Sequence, residues 1–251
     1  MRNNLFGVLG VLLPVISIFI GLSLMSISYW LLPLAVVIFS YAQYQAFCVA
    51  HFAGHQTLFG IKIANNLVVN LVHILLGLRR GYLKVHWQHH RCVKNPVSDP
   101  TEHDLHAYGL RGQRSTGVWL FIINPCRLLF TSIPYRGIEW YWIPSVIVLG
   151  VVSWCMEFDT VFIFLATWVF ARLIALWWIV YVTNILYHYL VPVESGGETR
   201  NIDTWLLGFP MLFDGLHARH HHKPSVPWWE IPKMPADVLY DLKQVVQQVT
   251  L

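Results

Sequence analysis

The stretch L-F-G-V-L-G-V-L-L-P-V-I-S-I-F-I-G-L-S-L-M-S-I, from Leu5 to Ile27, runs for 23 residues without a charged side chain. At 1.5 Å per residue a helix of that length crosses about 30 Å of hydrocarbon. Tyr29 and Trp30 follow it, as an aromatic pair at the membrane interface would. A second apolar run, residues 31–50, comes directly after, and no charge interrupts the turn between them. The two form a helical hairpin. Residues 140–156 and 161–184 repeat the pattern, separated by the short acidic turn Glu157-Phe158-Asp159. The expected fold is therefore all-α and integral to the membrane, with four transmembrane helices arranged as two hairpins.

Composition agrees. The chain has 251 residues, of which 56% are hydrophobic and only 12% charged, and its mean hydropathy is +0.51. Soluble domains average about 45–50% apolar and 25% charged. A disordered chain, a soluble coiled coil and an ordinary cytosolic enzyme are excluded. The net charge of +4 fits basic cytoplasmic loops better than nucleic acid, which is not expected as a partner. Cys48, Cys92, Cys126 and Cys155 form no CxxC pair, so neither a zinc knuckle nor a disulfide framework is indicated. The N-terminal run lacks an obvious small-residue cleavage site and is expected to stay as a membrane helix.

Basic residues set the orientation. Arg79, Arg80, Lys84, Arg91, Lys94, Arg111 and Arg114 lie between the hairpins, and neither hairpin turn holds a Lys or Arg. The positive-inside rule then puts residues 51–139 and 185–251 on the cytoplasmic side, as a cap with interfacial segments, within one domain spanning 1–251. Ile63 to Leu78 carries Asn66, Asn70 and His73 as a polar stripe, and Val118 to Ile133 is broken by Asn124-Pro125 and Arg127. Both are expected at the interface. Residues Met234 to Leu251 are expected to form a short amphipathic helix.

Histidine is the unusual residue, with 13 in the chain. His51 and His55 form H-F-A-G-H at the cytoplasmic end of the second helix, four apart and so on one helix face. His86, His89 and His90 form H-W-Q-H-H. His217, His220 and His221 form H-A-R-H-H, and in either triplet a helix puts all three imidazoles on one face. Asn184 and His188, in N-I-L-Y-H, close the fourth helix. Composition alone predicts about 0.03 HxxHH triplets in such a chain. Two of them, at matching ends of membrane hairpins, point to one shared metal site. Imidazole suits Zn, Cu, Fe and Ni. Nine His and one Asn exceed the needs of one ion, and zinc normally takes only four ligands. Two non-haem irons with open positions fit better, a centre able to reduce O2, and in a bilayer the C–H bond within reach belongs to a lipid.

At these residues the sequence resembles the membrane fatty-acid-desaturase superfamily, which includes acyl desaturases, alkane monooxygenases and carotenoid ketolases. His51 and His55 match its first histidine box, His86, His89 and His90 the second, and His217, His220 and His221 the third. Asn184 and His188 match the N-x-x-x-H element that in acyl-CoA desaturases supplies a further ligand and a water-bridged Asn. The run H-H-H-K-P-S-V-P-W-W-E-I-P, from His220 to Pro232, is similar to the box-three tail of bacterial desaturases and carotenoid ketolases. In N-I-L-Y-H-Y, Tyr187 stands where alkane monooxygenases have Glu, and box one lacks their H-E-x-x-H. The resemblance spans about residues 30–235. It implies four membrane helices under a cytoplasmic cap and two irons. It also implies O2 as co-substrate and a lipid-like substrate, a fatty-acyl chain or another hydrophobic molecule. No fused redox segment is recognisable, so the electron donor is expected to be a separate ferredoxin, rubredoxin or cytochrome b5-type protein. Loss of two hydrogens would make a desaturase; oxygen insertion would make a hydroxylase or, after repetition, a ketolase. Desaturation is favoured on the N-x-x-x-H element and the box-three tail.

Two rivals come from other classes. A zinc transporter would place its histidines near the bilayer midplane, whereas these boxes flank the helices. A di-haem carrier would pair histidines on facing membrane helices, which only box one approaches. His222, His73, His103 and His106 are expected to be neighbours and not ligands; the last two follow Asp99-Pro100, a pair the family often has after box two. Asp203 and Asp214 are candidates to accept hydrogen bonds from ligand imidazoles. Arg172, midway along the fourth helix, is a functional candidate by its place in the membrane, with Glu139 a possible partner.

Overall fold

The computed structural model describes residues 2–76, 82–93, 95, 97–100, 158–191, 199–235 and 238–249. The expected membrane run 140–156, the interfacial segment 118–133, Glu139, His103 and His106 lie outside them. The described chain falls into two compact units, Met1–Arg79 with Gly137–Leu176, and Arg80–Arg136 with Trp177–Leu251.

The first unit opens with α1 (Arg2–Ile27), which carries Pro14 inside it. Ser28 breaks the helix in extended conformation, and its hydroxyl accepts from the Trp30 N–H at 3.3 Å. After one 3-10 turn at Tyr29–Leu31 the chain starts α2 (Leu32–Gly54), with proline in the first turn, where its missing N–H costs nothing. α1 and α2 pack closely: a Cβ on Gly21 would fall 2.4 Å from the Phe39 ring, so only glycine fits there. Ser17 Oγ donates to Gln45 Oε1 at 2.8 Å across the same interface. The C-terminal half of α2 is almost wholly buried, whereas α1 exposes Leu5, Ile16, Phe19 and Ile20. That is an inside-out surface for water and an ordinary one for lipid.

α3 (Lys62–Leu76) follows a loop locked by Asn65, whose amide oxygen accepts from the Phe59 N–H at 2.9 Å and whose nitrogen donates to the Phe59 carbonyl at 2.8 Å. The three residues of the expected polar stripe share a helix face but differ in burial. Asn66 and Asn70 are exposed, and His73 is buried with Asn65, Val69 and Val72. α5 (Phe158–Val180) reaches back to α2 through Ser40, which donates to the Ala171 carbonyl at 3.1 Å, and Gln43, whose Nε2 donates to the Trp168 carbonyl at 3.3 Å. Phe39 meets the Phe164 and Trp168 rings edge to face, at 5.9 and 5.6 Å. Helix begins at Phe158, within the expected turn Glu157–Asp159. Three helices are long and apolar enough to cross a membrane, Asn4–Ile27, Tyr29–Gly54 and Ile163–Thr183.

In the second unit α4 (Tyr82–Arg91) carries the second histidine triplet. Past Val180 the chain widens into a π-helical turn, Tyr181–Leu186, a local form concentrated at functional sites. Then comes an element the all-α expectation lacks: β1 (Asn201–Asp203) pairs in parallel with β2 (Leu239–Asp241), Ile202 opposite Tyr240. Such a short pairing joins residues 38 apart and carries no alternating pattern of its own. The third triplet forms α6 (His217–His222). Leu212 and Phe213, both left-handed with φ 53° and 57°, reverse the chain just before it. α7 (Leu242–Val249) is the expected C-terminal helix, beginning later than Met234 because β2 takes the intervening residues. Asp241 and Gln244 cap it reciprocally at 2.7 and 2.9 Å.

Candidate metal centre

Seven imidazoles converge inside the second unit. They do so in two groups, and the grouping cuts across the sequence triplets. His86 and His90 join His220; His89 joins His188, His217 and His221. Within each group the ligating nitrogens lie within 4.8 Å of one another. A triplet on one helix face thus splits: its i, i+4 pair enters one group and its middle histidine the other. The two short helices exchange these roles, α4 giving its pair where α6 gives its single residue.

The Nε2 edges face each other. His90 Nε2 is 3.0 Å from His86 Nε2 and 3.2 Å from His220 Nε2; His89 and His188 approach to 3.2 Å, His221 and His217 to 3.1 Å. Two nitrogens bound to one ion at about 2.1 Å would lie about 3.0 Å apart at a right angle and about 3.4 Å apart at the tetrahedral angle. The observed spacings fall between these two values and are those of imidazoles that can share an ion. The two groups adjoin, with the His90 and His221 rings 4.2 Å apart.

A neutral imidazole is the form that binds metal. Burial, reinforced by His217, His188, His90 and His89, holds the His221 pKa well below the usual histidine value. In the first unit, His51 ends α2 and His55 caps it, their rings 5.1 Å apart and both buried. Burial lowers the His55 pKa to about 4. Asn184 lies in the π-helical turn, but its side chain is outside the described ones. His222 is exposed and belongs to neither group.

The two carboxylates singled out in the sequence differ in setting. Asp203 is exposed at the end of β1. Asp214 is buried and accepts from Tyr187 Oη at 2.8 Å, and the Tyr187 ring stacks on His217 at 4.3 Å. Asp99, 1% exposed, meets His89 Nδ1 at 2.8 Å. Nδ1–H donating to that carboxylate directs the Nε2 lone pair at the group's centre. Asp99 stands ten residues beyond His89, and the Asp-Pro pair was the only signal for it. Asp99→Asn should weaken metal binding about 10–100-fold, read by competition with a graded chelator; unchanged retention would remove Asp99 from this role.

Arginines build the frame. Arg200, fully buried, donates to the carbonyls of Leu186, Tyr189 and Leu190 at 2.6–2.7 Å and pins the chain on both sides of His188. Burial lowers its pKa to about 10, still protonated at neutral pH. Arg219, inside H-A-R-H-H, anchors α6: its N–H donates to Asn201 Oδ1 at 3.1 Å and its Nη1 to the Ile231 and Pro232 carbonyls. The P-W-W-E-I-P tail is therefore scaffold, with Trp228 and Trp229 buried and Trp228 packed against Phe209 and Phe213.

A family model described as "Fatty acid desaturase" matches residues 26–245. No curated protein matches the chain.

Proposed function

The chain belongs to the fatty acid desaturase family, and from that premise we propose a multi-pass membrane oxidoreductase with a non-haem di-iron centre on the cytoplasmic side. It would use O2 and electrons from a separate carrier to desaturate a fatty-acyl or other lipid chain. The observation that supports this best is the pair of imidazole groups with Nε2 edges 3.0–3.2 Å apart.

His89, His188, His217 and His221 would hold one iron, with Asn184 reaching it through water. His86, His90 and His220 would hold the other, and the histidine-box resemblance adds His51 and His55 as further ligands of the centre. When bound, the two irons supply the O2-dependent chemistry that removes hydrogen from an unactivated CH2. The chain's own contribution is positional. Asp99 holds the His89 tautomer, Tyr187 supports the His217 ring, and Arg200 and Arg219 fix the backbones bearing His188 and α6. Lipid reaches the protein through the apolar surface of its membrane helices. The close alternative on the same ligands is oxygen insertion, giving a hydroxylated or keto product.

Metal analysis of protein made in iron-replete cells should give about two irons per chain and no Soret band. One zinc without iron would defeat the proposal. Mass spectrometry of lipids and pigments from expressing cells then names the reaction: loss of two hydrogens, gain of one oxygen, or exchange of two hydrogens for one oxygen. The topology has its own test. Reporters after Leu251 and near Gly112 should read cytoplasmic and one at Phe158 external, because the hairpin turns hold no Lys or Arg. An external signal near Gly112 would reject both the four-span arrangement and the cytoplasmic centre.

A further inference from the structure

Arg172 sits inside the membrane-spanning part of α5 and is only 3% exposed. Its Nε and Nη1 are buried with no acceptor among the described residues. Nothing around it draws it to the surface: Ala171 and Ala175 beside it on the helix are fully buried. One turn earlier, the Trp168 carbonyl takes the Gln43 Nε2 from α2, while Gln43 Oε1 is likewise buried without a partner. So among the described residues two buried polar side chains, a cation and an amide, have unmet hydrogen-bonding capacity in the apolar membrane-spanning part of the first unit. A buried charge needs a paired, hydrogen-bonded counter-charge far more than a buried hydroxyl or amide does.

We propose that Arg172 is a receptor for the carboxylate end of a long hydrophobic chain that enters the helix bundle polar end first. A guanidinium offers a planar array of donors that matches a carboxylate in two bonds, which an ester or hydrocarbon terminus cannot supply. A water carried in on the carboxylate would serve Gln43 Oε1. Calling that chain the substrate rests on the function proposed above. Binding of the chain does not, since Arg172 is remote in sequence from every proposed ligand. The site would then favour free acids or chains bearing a terminal carboxylate over fully esterified or hydrocarbon substrates.

The test compares oleate with methyl oleate on the full chain in nanodiscs, by native mass spectrometry of the retained adduct. Wild type should retain oleate at least about 10-fold better than the ester. Arg172→Met should lower oleate retention about 10–100-fold and leave the ester unchanged; because both proteins sit in the same lipid, partition cancels. Arg172→Lys keeps the charge without the planar array and should fall between. Equal retention of acid and ester by wild type overturns the proposal, and this arm needs no variant to fold. So does a folded Arg172→Met protein that holds oleate as wild type does. Protein without iron that still discriminates acid from ester would keep this inference and defeat the di-iron reading.

Discussion

Replacing His89 by Ala should abolish turnover and bring the iron content from about two per chain to one or fewer. The side chain removed stands between Asp99 Oδ1 at 2.8 Å and His188 Nε2 at 3.2 Å. Its loss takes a nitrogen from the four-histidine group and leaves the Asp99 carboxylate buried without the imidazole it orients, a costly state for a charge. His220→Ala should act the same way on the other group, where His220 is 3.2 Å from His90. Both variants should still insert in the membrane, because insertion depends on the apolar helices and not on the metal. His222→Ala is the control: one residue further along α6, it points to solvent and should keep its iron. Iron by plasma emission and membrane fractionation together read the result. Full iron in His89→Ala would mean that His89 is not a ligand.

The second large effect should come from a residue that touches no proposed metal position. Arg200→Met keeps much of the side-chain volume and removes the donors to Leu186, Tyr189 and Leu190. Three carbonyls are left without them, at about 1–3 kcal/mol for each one that stays buried and unsatisfied. A total of at least about 3 kcal/mol corresponds to a melting shift of roughly 10 °C in a chain of this size. His188 lies between the released carbonyls, so iron should also be lost on mild chelation. Arg200→Lys retains a cation but cannot reach three carbonyls in one plane, and should recover little of either. A melting temperature within about 2 °C of wild type would show that water replaces the guanidinium at these carbonyls.

Much of this was written in the sequence because helix period and metal chemistry share a spacing. Imidazoles at i, i+3 and i+4 project from one side of a helix, so the boxes were visible before any fold was known. What the spacing does not carry is the position of the second helix. The division of each triplet between two groups depends on how α4 and α6 meet, and a one-dimensional pattern holds no record of that. The same limit hid Asp99. Asp203 and Asp214 flank the third triplet and were the nearer guesses, while Asp99, which bonds His89, comes from the turn after α4. Arg200 and Arg219 were invisible for another reason. Their partners are carbonyl oxygens, which every residue possesses. Three of the four membrane runs, those within the described residues, were legible from length and charge alone, whereas the differing burial of Asn66, Asn70 and His73 was not.

The crossed sharing of α4 and α6 would make the two proposed metal positions interdependent. Neither short helix serves a single ion, so an ion entering one group orders both helices and prepares the other group for its own ion. The ordering entropy of six imidazoles is largely spent at the first binding event. Filling should therefore be cooperative, with empty and doubly filled molecules prevailing over singly filled ones at partial supply. For a reaction that needs both ions, such a cell would hold fewer active molecules, not a larger number of half-built ones.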